Sequence, residues 1–283
     1  MNEDLATDAI YKSATFLYRI RKHPTAGWKW VTNSGTNPGV SAGPRYVMGR
    51  PTTPHFNTDD DFEWNVSAPN TGDYQSYAKW RTYLLGGRIF KDLDDGAEMY
   101  EHFLSNKGTR KEFDYSEGYR EDPTIRRAVD TEISDSAKAV DELVCSGHTN
   151  FSITGDTRTV PQVSTDNWRK TIGSYQQWSH SNVRVEGNRV YMDITVEAAD
   201  RYNFNRGAAD VTSGKPDNEN GRFVELGWAK PFDSYGSITK TVSWEVGHPP
   251  TPGTTLDVGS PQRDPGGEDR ADNRYSKSPS APR

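Results

Sequence analysis

The chain has 283 residues, a formal net charge of -6, 32% hydrophobic residues and a mean hydropathy of -0.91. An acidic chain lacks the basic field that phosphate backbones need, which argues against a general nucleic-acid partner, and no segment has the apolar length of a membrane span. So polar a composition predicts an ordered core over only part of the length, with the 8 Trp and 14 Tyr supplying much of it.

At the start, Ile10, Ala14, Leu17 and Ile20 recur at helical spacing within residues 1–23. The opening Met-Asn-Glu-Asp has no charged-then-apolar leader, so no signal peptide is expected, and a cytoplasmic location or leaderless export remains. From Pro24 to Asn70 the chain is rich in Gly, Pro, Asn and Thr and carries the acidic run Asp59-Asp60-Asp61, which predicts a weakly ordered connector. Trp28, Trp30, Phe62 and Trp64 mark parts of it able to dock on the domain. Residues 1–72 are thus read as a helix and connector, 73–247 as the domain, and 248–283 as a disordered Pro/Gly/Ser-rich tail.

Within the domain, Tyr77, Trp80, Tyr83, Leu84 and Phe90 predict a helix with a break at Gly86-Gly87. Asp94 or Asp95 caps a second helix, carrying Ala97, Tyr100, Phe103 and Leu104 on one face and stopping at Lys107-Gly108. Asp122-Pro123 starts a third, whose Ile125, Val129, Ile133, Ala137, Val140 and Val144 keep helical spacing. The period then changes. Phe151–Ile153 and Val160–Val163 read as short strands, and Val183–Val185 with Val190–Val196 as a hairpin around Glu186-Gly187-Asn188-Arg189. Phe223–Ala229 and Ile238–Val246 read as another strand pair. Helices followed by strands predict an α+β fold, with N-terminal helices followed by an antiparallel, half-barrel-like β sheet.

Few familiar chemical signatures are present. There is no phosphate-binding loop, Rossmann glycine pattern, HExxH or nucleophile elbow, and the six His residues have no metal-ligand spacing. Cys145 stands alone at the end of an apolar stripe and reads as a buried structural thiol.

The stretch Asp200-Arg201-Tyr202-Asn203-Phe204-Asn205-Arg206-Gly207 follows an alternating strand and crowds aromatics among an acid, amides and guanidiniums. Extended backbone puts Asp200 and Tyr202 on one face and Arg201 and Asn203 on the other. A carboxylate, a phenol and guanidiniums can orient a phosphate, hold a hard cation or stabilise a developing anion. The same residues also suit a turn, with Gly207 at positive φ, Asn and Asp bonding backbone and Arg206 paired to an acid. The oxygen-rich loop 210–221 reads as solvated, with a Mg²⁺ or Ca²⁺ site as the lesser alternative.

The wider neighbourhood resembles the activity domain of colicin M-type bacteriocins. His102-Phe103-Leu104-Ser-Asn-Lys-Gly108 is similar to that family's His-aromatic-Leu-x-x-x-Gly stretch, and Asp200-Arg-Tyr202-Asn203-Phe204-Asn205 to its Asp-x-Tyr-Asp-Phe-Asn block. Ile172-Gly173-Ser-Tyr175, Val183–Asn188 and Leu226-Gly227-Trp-Ala229 fall in a similar order. The resemblance implies a Mg²⁺-dependent phosphodiesterase acting on a lipid-linked pyrophosphate, the lipid II cell-wall precursor. It puts Asp200, Tyr202 and Asn203 at catalytic places; Arg206 is read with them as the catalytic-site cation holding the pyrophosphate, Arg201 and Asn205 as substrate-binding, and Asp200 as the residue for Mg²⁺. Asn203 stands where the family has a second catalytic Asp, and the family's following His-Arg pair has no counterpart. Two readings therefore stand: an enzyme of this kind, or a binding or structural domain retaining its fold.

Overall fold

The computed structural model describes residues 45–49, 60–90, 92–209 and 214–251. The helical pattern in residues 1–23, most of the connector and the tail from residue 252 lie outside them.

Four helices precede most of the sheet: α1 (Thr71–Phe90), α2 (Asp94–Leu104), α3 (Tyr115–Glu121) and α4 (Pro123–Cys145). The start of α4 is set by the buried Asp122. One of its carboxylate oxygens accepts from the N–H groups of Thr124 (2.8 Å) and Ile125 (3.0 Å). The other accepts from those of Ser164 (2.8 Å) and Thr165 (2.7 Å), so one acid caps the helix and pins a distant loop. Ile125, Val129, Ile133, Ala137 and Val140 are fully buried on the sheet, each stabilising the fold by about 1–3 kcal/mol. Glu132, also buried, accepts from the Ser179 hydroxyl (2.7 Å) and the Tyr46 phenol (3.0 Å) and pairs with Arg45 and Arg158.

The strands are β1 (Tyr46–Met48), β2 (Lys111–Glu112), β3 (Asn150–Gly155), β4 (Arg158–Val160), β5 (Tyr175–Glu186), β6 (Arg189–Tyr202) and β7 (Phe232–Glu245). They form one open sheet in the order β1-β3-β5-β6-β7-β2, with β4 also on β5. The α+β class stands, and the sheet does not close into a barrel. Every pairing is antiparallel except β2 with β7. Along β6, Val190, Met192, Ile194, Val196 and Ala198 are buried, and Ser136 of α4 reaches the Met192 sulfur. The even-numbered side chains of β6 thus face the helices.

Several expectations needed correction. α1 runs straight through Gly86-Gly87: Leu84 is buried in the core, and packing outweighs roughly 1 kcal/mol per glycine. The N-cap of α2 is Leu93, while Asp94 and Asp95 lie in its first turn. The strand expected at Phe223–Ala229 is instead α6 (Asn218–Glu225) and a turn at Gly227, preceded in the fold by a short α5 (Asp166–Thr171). Phe223 and Val224 are buried there, an apolar pair that suits either period. β4 ends at Val160, before Pro161, and β1 lies inside the expected connector. Cys145 is exposed, one position beyond Val144, the last residue of the α4 stripe packed against the core.

Candidate functional site

The block occupies the end of β6 and the turn beyond it. Asp200 and Tyr202 continue the helix-facing register, and Arg201 and Asn203 face the other way, as the alternation predicts. The Tyr202 ring stacks on Phe232 at 5.0 Å and lies 6.1 Å from Phe103 of α2. Phe204 packs on Phe103 at 5.0 Å. The His102 ring meets Phe232 edge-on at 4.5 Å, and the Phe103 carbonyl accepts from the Lys230 N–H. The stretch around His102 and the block, a hundred residues apart in sequence, are therefore packed together.

Asp200 keeps some surface as a residue, but its carboxyl lies among protein atoms. Burial pushes its pKa well above the carboxylate range; Asp233 adds to this, while its neighbour's backbone N–H and the Arg201 guanidinium oppose it. The carboxyl is thereby biased toward its neutral, proton-bearing form.

The arginines are held by acids. Arg201 grips Asp60 with two nitrogens, at 3.1 and 2.7 Å, and Asp233 with a third at 2.9 Å. Burial works to lower the Arg201 pKa, but the Asp60 and Asp233 carboxylates outweigh it and keep the guanidinium charged. The Asn203 amide also donates to Asp60, at 3.3 Å. Arg206 pairs with Glu225 at 3.1 Å, its backbone N–H donates to Asp61 at 2.9 Å, and its guanidinium lies 4.4 Å from the Phe62 ring centre. Asn205 donates its N–H to Asp217, and Gly207 takes φ +80°. Residues 205–208 thus form the turn that their composition allows.

Residues 60–67 form a strap over this region. Phe62 is buried where a Cβ on Gly221 of α6 would sit. The N–H groups of Asn65, Val66 and Ser67 donate to the carbonyls of Val224 and Glu225, at 2.8 to 3.0 Å. Between strap and block lies a cleft of about 330 Å³, lined by Asp60, Phe62, Glu63, Trp64, Arg201 and Lys230 among others. The Lys230 ammonium sits 4.7 Å from the centre of the exposed Trp64 ring. Sequence reasoning assigned no role here to Asp60, Asp61 or Lys230, although the acidic run and the aromatics Phe62 and Trp64 were its visible signals.

The described side chains are a poor fit for Mg²⁺. Among the described residues, no group of three or more His, Cys, Asp or Glu could hold a metal ion. A neutral-leaning Asp200 is a weak ligand, and the oxygens of the loop turn inward. Asp217 takes the Asn205 N–H, Asn218 the Gly207 N–H, and Asn220 the Tyr100 hydroxyl. Glu219 accepts from Ser76, Lys79 and Trp80 of α1. Asp210 lies outside the described residues.

No helix among the described residues is long and apolar enough to cross a membrane. No protein-family model, curated protein or solved structure matches the chain. The fold and site define an α+β domain with a desolvated acid at a strand end and a strap-covered cluster of cations.

Proposed function

We propose that this chain is a divergent colicin M-like effector domain acting on a lipid-linked, pyrophosphate-bearing cell-wall precursor as a phosphodiesterase. The observation that supports it is the desolvated Asp200 carboxyl at the end of β6. A carboxyl whose hold on its proton is strengthened by burial suits general-acid work: Asp200 protonates the leaving oxygen as its P–O bond breaks, water bonds to phosphorus, and the proton lost by that water restores the acid. Arg201, on the strand face opposite Asp200, and Arg206 supply the charge that a pyrophosphate needs, with Asn203 and Asn205 beside them at the strand end. Because the described side chains suit Mg²⁺ poorly, the proposed protonation rests on Asp200 and not on a metal.

A second reading is a binding or structural domain that keeps the fold without the reaction. It is favoured by the stacking of Tyr202 on Phe232 and by the acid partners of both arginines. Purified protein incubated with lipid II, with and without Mg²⁺, separates the two. The phosphodiesterase reading expects release of a water-soluble headgroup by wild type and its loss in Asp200→Asn. Absence of release at every pH and metal tried would leave only the second reading.

A further inference from the structure

The strap presents Asp60 to Arg201 in the two-pronged geometry by which guanidinium also binds phosphate. Asn203 donates to the same carboxylate, and Lys230 lines the same cleft with its ammonium over Trp64. We propose that Arg201, Asn203 and Lys230 form an anion site for a phosphate or pyrophosphate group, which Asp60 fills from within the chain. The site itself stands on these contacts; only the identity of the ligand as a lipid-linked pyrophosphate rests on the proposed function.

Three observations support a displaceable plug. The first is charge. Asp60 of the strap pairs with Arg201, Asp61 accepts from the Arg206 backbone N–H, and Glu63 lines the same cleft as Lys230, so the strap sets acids beside the cations that an anion would need. With Asp60 turned away, Arg201 keeps Asp233, and Arg206 keeps Glu225, as ionic partners among the described residues. The second is anchoring. Phe62 and the N–H groups of Asn65, Val66 and Ser67 fix the strap on α6, so Asp60 can swing out while the rest stays docked. The third is exposure. The Asp60 side chain keeps 26% of its surface in solvent, so water reaches the pair and can take up the displaced carboxylate. A ligand carrying several negative charges competes well against a single carboxylate.

Calorimetric titration with inorganic pyrophosphate, and separately with lipid II in micelles, tests the proposal. Asp60→Asn is expected to tighten pyrophosphate binding at least tenfold over wild type, and Arg201→Gln added to it to abolish the gain. Lys230→Gln in the same background should weaken binding several-fold. Tighter binding of lipid II than of pyrophosphate would name the lipid-linked source, and equal binding the free anion. Failure of Asp60→Asn to bind more tightly while its melting temperature is unchanged, or a gain insensitive to Arg201→Gln, would overturn the site. Should Asp60→Asn fold poorly, hydrogen exchange on wild type decides. Saturating pyrophosphate should speed exchange at Asp60 and Asp61 and leave the docked amides of Asn65, Val66 and Ser67 and those of α4 unchanged, and no binding or no change at residues 60–61 would count against the proposal. A folded protein that gains pyrophosphate affinity yet cleaves no lipid II would refute the phosphodiesterase reading and leave the site intact.

Discussion

Gly221→Ala tests the docking of the strap through a reversal of sign. Alanine in place of glycine inside α6 gains about 1 kcal/mol of helix propensity. Its methyl would fall on the Phe62 ring, far inside van der Waals contact, and that ring is buried. Overpacking of this kind costs about 1–3 kcal/mol, and so direct an overlap belongs at the upper end. The expected net effect is a loss of about 2 kcal/mol in the wild-type background. Phe62→Ala alone costs about 3 kcal/mol, but it vacates the space, so Gly221→Ala should then stabilise by about 1 kcal/mol. The two sites are thereby coupled by about 3 kcal/mol, readable by urea unfolding of the four proteins followed by tryptophan fluorescence. Equal effects of Gly221→Ala in both backgrounds, within about 0.5 kcal/mol, would refute the packing of Phe62 on α6.

Asp200 and Asp122 give two further tests. Because burial raises the Asp200 pKa above its ordinary value of 3.8, folding is increasingly opposed as pH climbs through the range above that value. Asp200→Asn should therefore gain stability relative to wild type as the pH is raised above 3.8, and a difference in urea midpoints that stays constant over that rise would contradict the burial of that carboxyl. Asp122→Ala strips four backbone N–H groups, that of Ile125 buried and the others half-buried, of their acceptor and should cost about 3 kcal/mol. Asp122→Asn, with one accepting oxygen, should recover about half of that loss in thermal unfolding.

What was legible in the sequence was local. Asp122-Pro123 and the spacing from Ile125 to Val144 define α4, since cap, proline and stripe all speak within one segment. The period of two along Val190–Val196 placed Asp200 and Tyr202 together on one face and Arg201 on the other. Phe223–Ala229 misled because a short apolar run fits either period until the packing of α6 on Tyr77 and Tyr100 decides it. The strap was illegible for a different reason. Its meaning depends on Gly221 and Arg201, both about 140 residues or more further on, and no local pattern announces so distant a partner. The acidic run was visible, but which cations it meets is a property of the folded chain.

The central claim is that the end of β6 acts on a lipid-linked pyrophosphate once Asp60 is out of the way. Turnover of lipid II by Asp60→Asn, followed as release of the water-soluble headgroup beside Asp60→Asn/Asp200→Asn, tests it most directly. The account predicts faster release by the single variant than by wild type, and none by the double variant. Release that is equal in the single and double variants, or absent from both while both remain folded, would contradict it.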